Sequence, residues 1–292
     1  MHLGFIGFGE AAFELASGLK LQGLERMTAY DPLWNMPAYR ELILTRSTKA
    51  GVTLVQTSEE VLQQVDMVIV AVPADKTLEV SKQLKPHLEK GTVYIDVSAS
   101  SPDIKKQVAA NIQEKEGEFV DAAMMGPLPV YKHEVPILAS GYGTDIFIET
   151  MQRFGMNISK VSDVPGDATA VKLIRSIYMK GIAGLYVELL EAAHEFNVES
   201  LVIDSLSETI NGCTFEETMN RLVTGTALHA ARRSVELGGT IAMLDSVNID
   251  SSMSKAAKEK IERLASLNIK EKFKGEKPEH WLQVIEASKI AN

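Results

Sequence analysis

Two different rhythms of apolar and polar positions divide the chain. Over the first half, short runs rich in β-branched and aromatic residues alternate with segments whose apolar residues recur at helical spacing. That alternation is the pattern of a parallel sheet covered by helices. It predicts strands over residues 3–6, 27–30, 53–55, 67–72, 93–97, 119–122 and 136–139, and helices over 11–22, 58–64, 77–85 and 102–115. The segments DMVIVAV and TVYIDV are apolar nearly throughout, as central strands buried on both faces must be. After Pro165 the rhythm changes: no proline interrupts residues 167–196, and helical segments continue toward the C-terminal end. A helix over 167–196 would exceed the usual length of roughly 8 to 20 residues, which points to an interface helix. Residues 246–254 form the clearest loop of the helical half.

The division is therefore an α/β domain over residues 1–163 and an all-α domain over 164–292. The length of 292 residues agrees, since a domain takes about 100 to 200. Hydrophobic residues at 45% and charged residues at 24% exclude wholesale disorder. With 30 Lys+Arg against 39 Asp+Glu and no basic run, the net charge of -9 argues against a nucleic-acid partner. No stretch reaches the roughly 18 apolar residues of a membrane span, so no membrane partner is expected. The N-terminal segment lacks a basic leader and is broken by Glu10 and Glu14; it reads as strand, turn and helix rather than as a signal peptide. A single cysteine, Cys213, excludes an intramolecular disulfide and fits a cytoplasmic location. The six histidines lack metal-binding spacing and G-x-S-x-G is absent, so neither a metal nor hydrolase chemistry is expected.

The most informative local feature is Gly7-Phe8-Gly9-Glu10-Ala11-Ala12, a G-x-G-x-x-A turn that follows the apolar strand LGFI and opens a helical pattern. In that context Gly7 allows the tight turn, Gly9 lets backbone approach a pyrophosphate, and Ala12 lets helix and strand pack closely. The phosphates would meet the helix N-terminus. Asp31 ends the second strand close to the ~20-residue spacing expected of a ribose-binding carboxylate. A carboxylate there repels a 2′-phosphate, so NAD is the expected cofactor, with NADP the alternative. An ordinary strand-to-helix turn, with Asp31 turn-forming before Pro32, would account for the same residues without a ligand. The fold class is an α/β Rossmann-type doubly wound parallel sheet followed by an all-α helical domain.

With that turn, the strand-loop Ala71-Val72-Pro73-Ala74-Asp75 and a lysine at the head of the long helix, the chain resembles the β-hydroxyacid dehydrogenase superfamily. That group includes 3-hydroxyisobutyrate and 6-phosphogluconate dehydrogenases. Residues 172–181 and 229–236 look more like a phosphogluconate-dehydrogenase-like branch with an uncharacterised C-terminal domain. The resemblance implies cofactor contacts at Val72, Pro73 and Ser98. It also implies a catalytic-helix pattern of glycine, lysine and asparagine, which falls here on Gly166, Lys172 and Ser176. The lysine matches and the asparagine does not. The family's substrate loop corresponds to residues 121–127, where Met125 stands in place of a serine, followed by Gly126. In residues 96–102 the resemblance makes Ser98 and Ser100 candidate hydroxyl ligands of a substrate. Asp121, at the head of the 121–127 segment, is expected to be a loop-ordering carboxylate.

Oxidation of an alcohol needs a proton acceptor while hydride leaves for nicotinamide. The resemblance assigns that role to Lys172. Its ordinary pKa is too high for a base at neutral pH, unless burial and neighbouring cations lower it; Arg175 and Lys180 are the expected cations. Ser176 lies on the same helical face, with Arg175 to the other side of Lys172 as a ligand for an acidic substrate. Salt bridging would equally explain Arg175 and Lys180. The expected site is the cleft between the domains. The expected reaction is hydride transfer between NAD(P) and a small hydroxy acid or phosphorylated sugar acid. An imine reductase and a catalytically decayed dinucleotide-binding protein are the alternatives, and a homodimer is expected to cover the long helix.

Overall fold

A computed structural model describes residues 1–289. It divides into two compact units, Met1–Ser176 and the chain from Ile177 onward. In the first, the elements follow in the order β1 (Leu3–Ile6), α1 (Glu10–Leu21), β2 (Met27–Tyr30), α2 (Pro37–Ala50), β3 (Thr53–Leu54), α3 (Ser58–Leu62), β4 (Met67–Val70) and α4 (Thr77–Leu84). They continue with β5 (Val93–Asp96), α5 (Pro102–Gln113), β6 (Glu118–Met124), α6 (Leu128–Tyr131), β7 (Ile137–Ser140), α7 (Thr144–Met151), β8 (Ile158–Ser162) and the start of α8 (Asp167–Glu195).

The strands form one eight-stranded sheet in the order β3-β2-β1-β4-β5-β6-β7-β8, parallel except where β7 runs antiparallel to β6. Alternating residues of the central strands enter two cores. Leu3, Phe5, Met67, Ile69, Val93 and Ile95 pack with Leu15 and Leu19 of α1 and Phe147 of α7. On the other face Ile6, Val68, Val70 and Tyr94 pack with Val61 of α3, Leu84 of α4 and Val108 and Ile112 of α5. The near-continuous apolar runs are thus explained by burial on both faces. Because β1 leads outward to β2 and β3 while β4 lies on its other side, the chain reverses direction across the sheet between β1 and β4. In doubly wound sheets that crevice is where ligands bind.

The observed elements differ from the expected ones at the margins. Helix α2 is absent from the periodicity reading because its buried stripe is only Ile43, Ser47 and Ala50, an i, i+4, i+7 set with a serine at its middle. Strand β8 buries only Ile158 among its five residues and pairs only with β7, so it carries little alternation. The antiparallel β7 departs from an all-parallel sheet. The dividing point falls inside α8 rather than ahead of it, because the first turn of α8 is bonded to side chains of β6 and β7.

The second unit is helical: the rest of α8, then α9 (Glu199–Asn211), α10 (Phe215–Ser246), α11 (Ser252–Ser266), α12 (Ile269–Lys272) and α13 (Trp281–Lys289). A capping box of Thr214 and Glu217 starts α10, which kinks at His229. Buried Glu188 of α8 caps α11, accepting from the Met253 N–H at 2.7 Å and from the Ser254 N–H and hydroxyl at 2.9 and 2.6 Å. Among the described residues, no helix is long and apolar enough to cross a membrane.

Two imidazoles in the first unit couple its stability to pH. His133 is buried with neither ring nitrogen hydrogen-bonded. His2 is buried with Nε2 against the Thr28 hydroxyl at 2.6 Å. Burial pushes both below the usual imidazole pKa, and Arg26 adds to the effect at His2. As pH falls past about 6.5 the unfolded chain takes up protons that the folded chain refuses, so stability is full above that value and declines below it. The thermal midpoint is expected to fall between pH 7 and pH 5. The fall should shrink in His133→Leu, which removes the titrating ring and its unpartnered nitrogens.

Candidate functional site

The glycine-rich turn stands at the reversal point of the sheet. The Gly7 N–H donates to the Tyr30 carbonyl at 2.8 Å, and its φ of +82° belongs to the left-handed region. A Cβ at Gly7 would lie 2.5 Å from the Ala71 carbonyl oxygen, at the end of β4. Only glycine satisfies both constraints. Gly9 is the N-terminal cap residue of α1 but brings no side-chain cap, and a Cβ there would meet nothing within 4 Å. The turn is therefore close-packed behind and open in front, with the first-turn amides of α1 uncapped, which suits an incoming phosphate.

The expected cofactor residues take distinct places around it. Ala12 is buried in the core beneath the turn, as close helix–strand packing requires. Phe8 is not a ligand-facing side chain: it is fully buried, edge-on to Phe5 at 5.8 Å. Its N–H donates to Asp31 Oδ2 at 2.7 Å, while Asp31 Oδ1 accepts from the Leu33 N–H at 2.9 Å. Asp31 thus fastens the glycine-rich turn to the end of β2 and keeps lone pairs beyond those two bonds. Glu10 is exposed, Ala11 and Val72 are half-buried, and Pro73 is exposed.

A second constellation lies across β5, β6 and β7. Asp96, Asp121 and Ser140 are register partners on adjacent strands, so their side chains stand in one row. Lys105 of α5 reaches into that row. Its Nζ is 3.0 Å from Asp96 Oδ1, 3.2 Å from Asp121 Oδ1 and 2.9 Å from the Asp96 carbonyl oxygen. All three charged side chains are 0% exposed. The row then captures the start of α8. Asp121 accepts from the Thr169 N–H at 2.8 Å and from its hydroxyl at 2.7 Å, and the Ser140 hydroxyl accepts from the Ala168 N–H at 3.0 Å. Two otherwise orphaned amides of a helix N-terminus are satisfied, one by a carboxylate that the helix dipole favours. Gly166, with φ +95°, permits the approach: a Cβ there would lie 2.8 Å from the Pro102 carbonyl at the start of α5.

Lys172 follows Thr169 by three residues on α8 and is half-buried. Burial pushes its pKa down, and the positive charge of Lys105 adds to that; Asp121 pulls the other way. The neighbouring cation is Lys105, not the expected Arg175 or Lys180, both of which are exposed. Ser176 is half-buried one turn beyond Lys172. Ser98 and Ser100 are buried in a hydroxyl chain: Thr77 donates to Ser98 at 2.9 Å and Ser98 to Ser100 at 3.2 Å. Met125 and Gly126 are half-buried, and the Met125 N–H donates to the Pro136 carbonyl at 2.8 Å. Among the described residues no three His, Cys, Asp or Glu side chains converge as a metal cage would.

Lys105 and Asp96 are the functional candidates that sequence reasoning missed. A signal was present: Lys105, Val108, Ala109 and Ile112 form the buried stripe of α5, and a lysine on an apolar stripe must meet a buried counter-charge.

Comparison with known proteins agrees with this geometry. The family described as the NAD binding domain of 6-phosphogluconate dehydrogenase matches residues 2–145, and a domain of unknown function (DUF1932) matches residues 193–264. A conserved hypothetical protein from Sinorhizobium meliloti 1021 is 30% identical, with a TM-score of 0.64, covering 100% of this chain and 97% of that one. The conserved protein MTH1747, of unknown function and described as structurally similar to 3-hydroxyacid dehydrogenases, is 32% identical, with a TM-score of 0.62 and coverage of 91% and 97%. An imine reductase from Myxococcus stipitatus, solved as a variant with NAD+ and also with NADP+, shares the fold at 17% and 16% identity. The TM-scores are 0.70 and 0.69, with coverage of 98% of both chains in the first case and of 92% and 95% in the second.

Proposed function

This chain belongs to the β-hydroxyacid dehydrogenase superfamily, and we propose that it moves a hydride between NAD and a small hydroxy acid or its oxo counterpart, with Lys172 as the acid–base residue. The observation that carries this reading is the half-buried Lys172 beside the occluded Lys105, at the anchored first turns of α8. A lysine of ordinary pKa is neutral in fewer than about one molecule in a thousand at pH 7. Burial and a neighbouring ammonium raise that fraction, so the amine can take the proton of a substrate hydroxyl and return it in the reverse direction.

The residues around the turn fit a dinucleotide. Gly7 and Gly9 would admit the pyrophosphate, the amides of α1 would receive it, Asp31 would accept from the ribose, and Val72 and Pro73 would flank it. When bound, the nicotinamide supplies the hydride chemistry. The protein contributes the base at Lys172 and an anion ligand one turn on at Arg175, whose exposed fork suits a substrate carboxylate.

Three outcomes check the proposal. NAD should bind at least about fivefold more tightly than NADP, because a 2′-phosphate beside the Asp31 carboxylate costs ~1 kcal/mol or more. Asp31→Asn removes the charge, keeps an acceptor for one of the two backbone donors, and should narrow that ratio; equal affinities in the wild type, by calorimetry, would contradict it.

Lys172→Met should bind NAD almost unchanged while losing about 10² to 10⁴ in turnover of hydroxy acids, followed by nicotinamide absorbance. If cyclic imines are reduced in place of hydroxy acids, and the variant reduces them as well as the wild type, imine reduction becomes the function.

A second copy of the chain is the proposed cover for the exposed apolar residues of α8 and α9. Ile177 is 75% and Leu201 72% exposed, and no residue of α9 is buried. A self-complementary contact would bury both. Sedimentation at micromolar concentration should give a dimer, and a monomer would refute this.

A further inference from the structure

Acid–base chemistry at Lys172 does not by itself require the fully buried ammonium of Lys105. Lys105 is the fourth residue of α5, where a cation faces the unfavourable end of the helix dipole. Its neighbours on the buried stripe are Val108, Ala109 and Ile112, so packing alone would be served by an apolar side chain. Its Nζ instead contacts three oxygens, two of Asp96 and one of Asp121, with no exposure to solvent. Asp121 in turn holds both the N–H and the hydroxyl of Thr169. Thr169 and Lys172 are three residues apart on α8, on one side of the helix.

We propose that Lys105 is a positioning residue for Lys172: it clamps the Asp121 carboxylate to which the first turn of α8 is bonded, and so fixes where the Lys172 amine stands and which charges surround it. This rests on the assignment of Lys172 made above. Without the ammonium, Asp96 and Asp121 would face each other across adjacent strands with no counter-charge, and repulsion would loosen the carboxylate that anchors the helix.

The charged groups around Lys172 make the inference testable. From the packed elements these are Lys105 on α5 and Asp121 on β6, with Asp96 on β5 behind them. On its own helix Arg175 is exposed, and Asp167 accepts from the Ser162 hydroxyl at 2.7 Å. Lys105 disfavours a proton on Lys172 and Asp121 favours one. Neutralising the two residues should therefore move the titration of Lys172 in opposite directions, which a purely structural role would not do.

The experiment is an NMR titration of the full chain labelled at lysine 13Cε, with the Lys172 signal identified by its loss in Lys172→Met. In Lys105→Met combined with Asp96→Asn, which removes the cation with one of its two carboxylates, the Lys172 midpoint should rise by about one pH unit. In Asp121→Asn, which keeps an oxygen for Thr169, it should fall by a comparable amount. Circular dichroism checks that each variant is folded. An unchanged or lowered midpoint in the double variant overturns the proposal; if that variant does not fold, an unchanged or raised midpoint in Asp121→Asn overturns it. The titration requires no substrate, so it is decided separately from the turnover assay: failure of the Lys172→Met prediction would remove the proposed function and leave the clamp to be judged on these shifts.

Discussion

Two aspartates stand side by side on neighbouring parallel strands in a region without solvent, and the arrangement of the candidate site depends on how that repulsion is managed. Asp96 and Asp121 occupy paired positions of β5 and β6, where like charges destabilise a sheet. The Lys105 ammonium sits within 3.2 Å of an oxygen of each. Burying such a group yields little net stability, because desolvation offsets the attraction, yet removing one partner costs roughly 3 to 5 kcal/mol. Its value lies in geometry. The lysine ties α5 to the sheet, and the aspartate it holds ties α8 to the same row.

Helix α8 therefore starts where side chains of the sheet dictate. Asp121 and Ser140, adjacent in register, take the amides of Thr169 and Ala168, and Gly166 lets the preceding backbone close on Pro102. These contacts fix the helical turn that carries Lys172 more firmly than the intrinsic propensity of the helix would. They also set its electrostatics, since the charges facing the amine belong to the anchor itself. Position and proton affinity have one cause.

A similar device operates at the other carboxylate. Asp31, at the end of β2, accepts from the amide of Phe8 inside the glycine-rich turn and from Leu33 beyond it. Both parts of the candidate site are thus held by aspartates, Asp31 just past the end of β2 and Asp121 within β6, each reaching to the chain segment it must position. Phe8 shows how little of such a motif needs to touch a ligand: its ring is core and its amide is structural.

The residues whose role follows from local chemistry were legible in the amino-acid order. Gly7 and Ala12 are dictated by a turn and a close helix–strand contact. The apolar runs through Met67–Val70 and Val93–Asp96 are dictated by burial on both faces, and the change of rhythm after Pro165 marks the helical half. Helix α2 and strand β8 escaped because each buries few residues, which leaves almost no periodicity to read. The antiparallel turn of β7 escaped because strand direction leaves no mark on a short segment. Above all, the sequence by itself determined that Lys172 heads a long helix, but not which cation would face it. Arg175 and Lys180 are near it along the chain and exposed in the fold, whereas Lys105 is far along the chain and yet lowers its proton affinity through its charge. Only the tertiary structure decided that, because β-sheet register, a non-local property, brings Asp96, Asp121 and Ser140 into one row and draws both helices onto it.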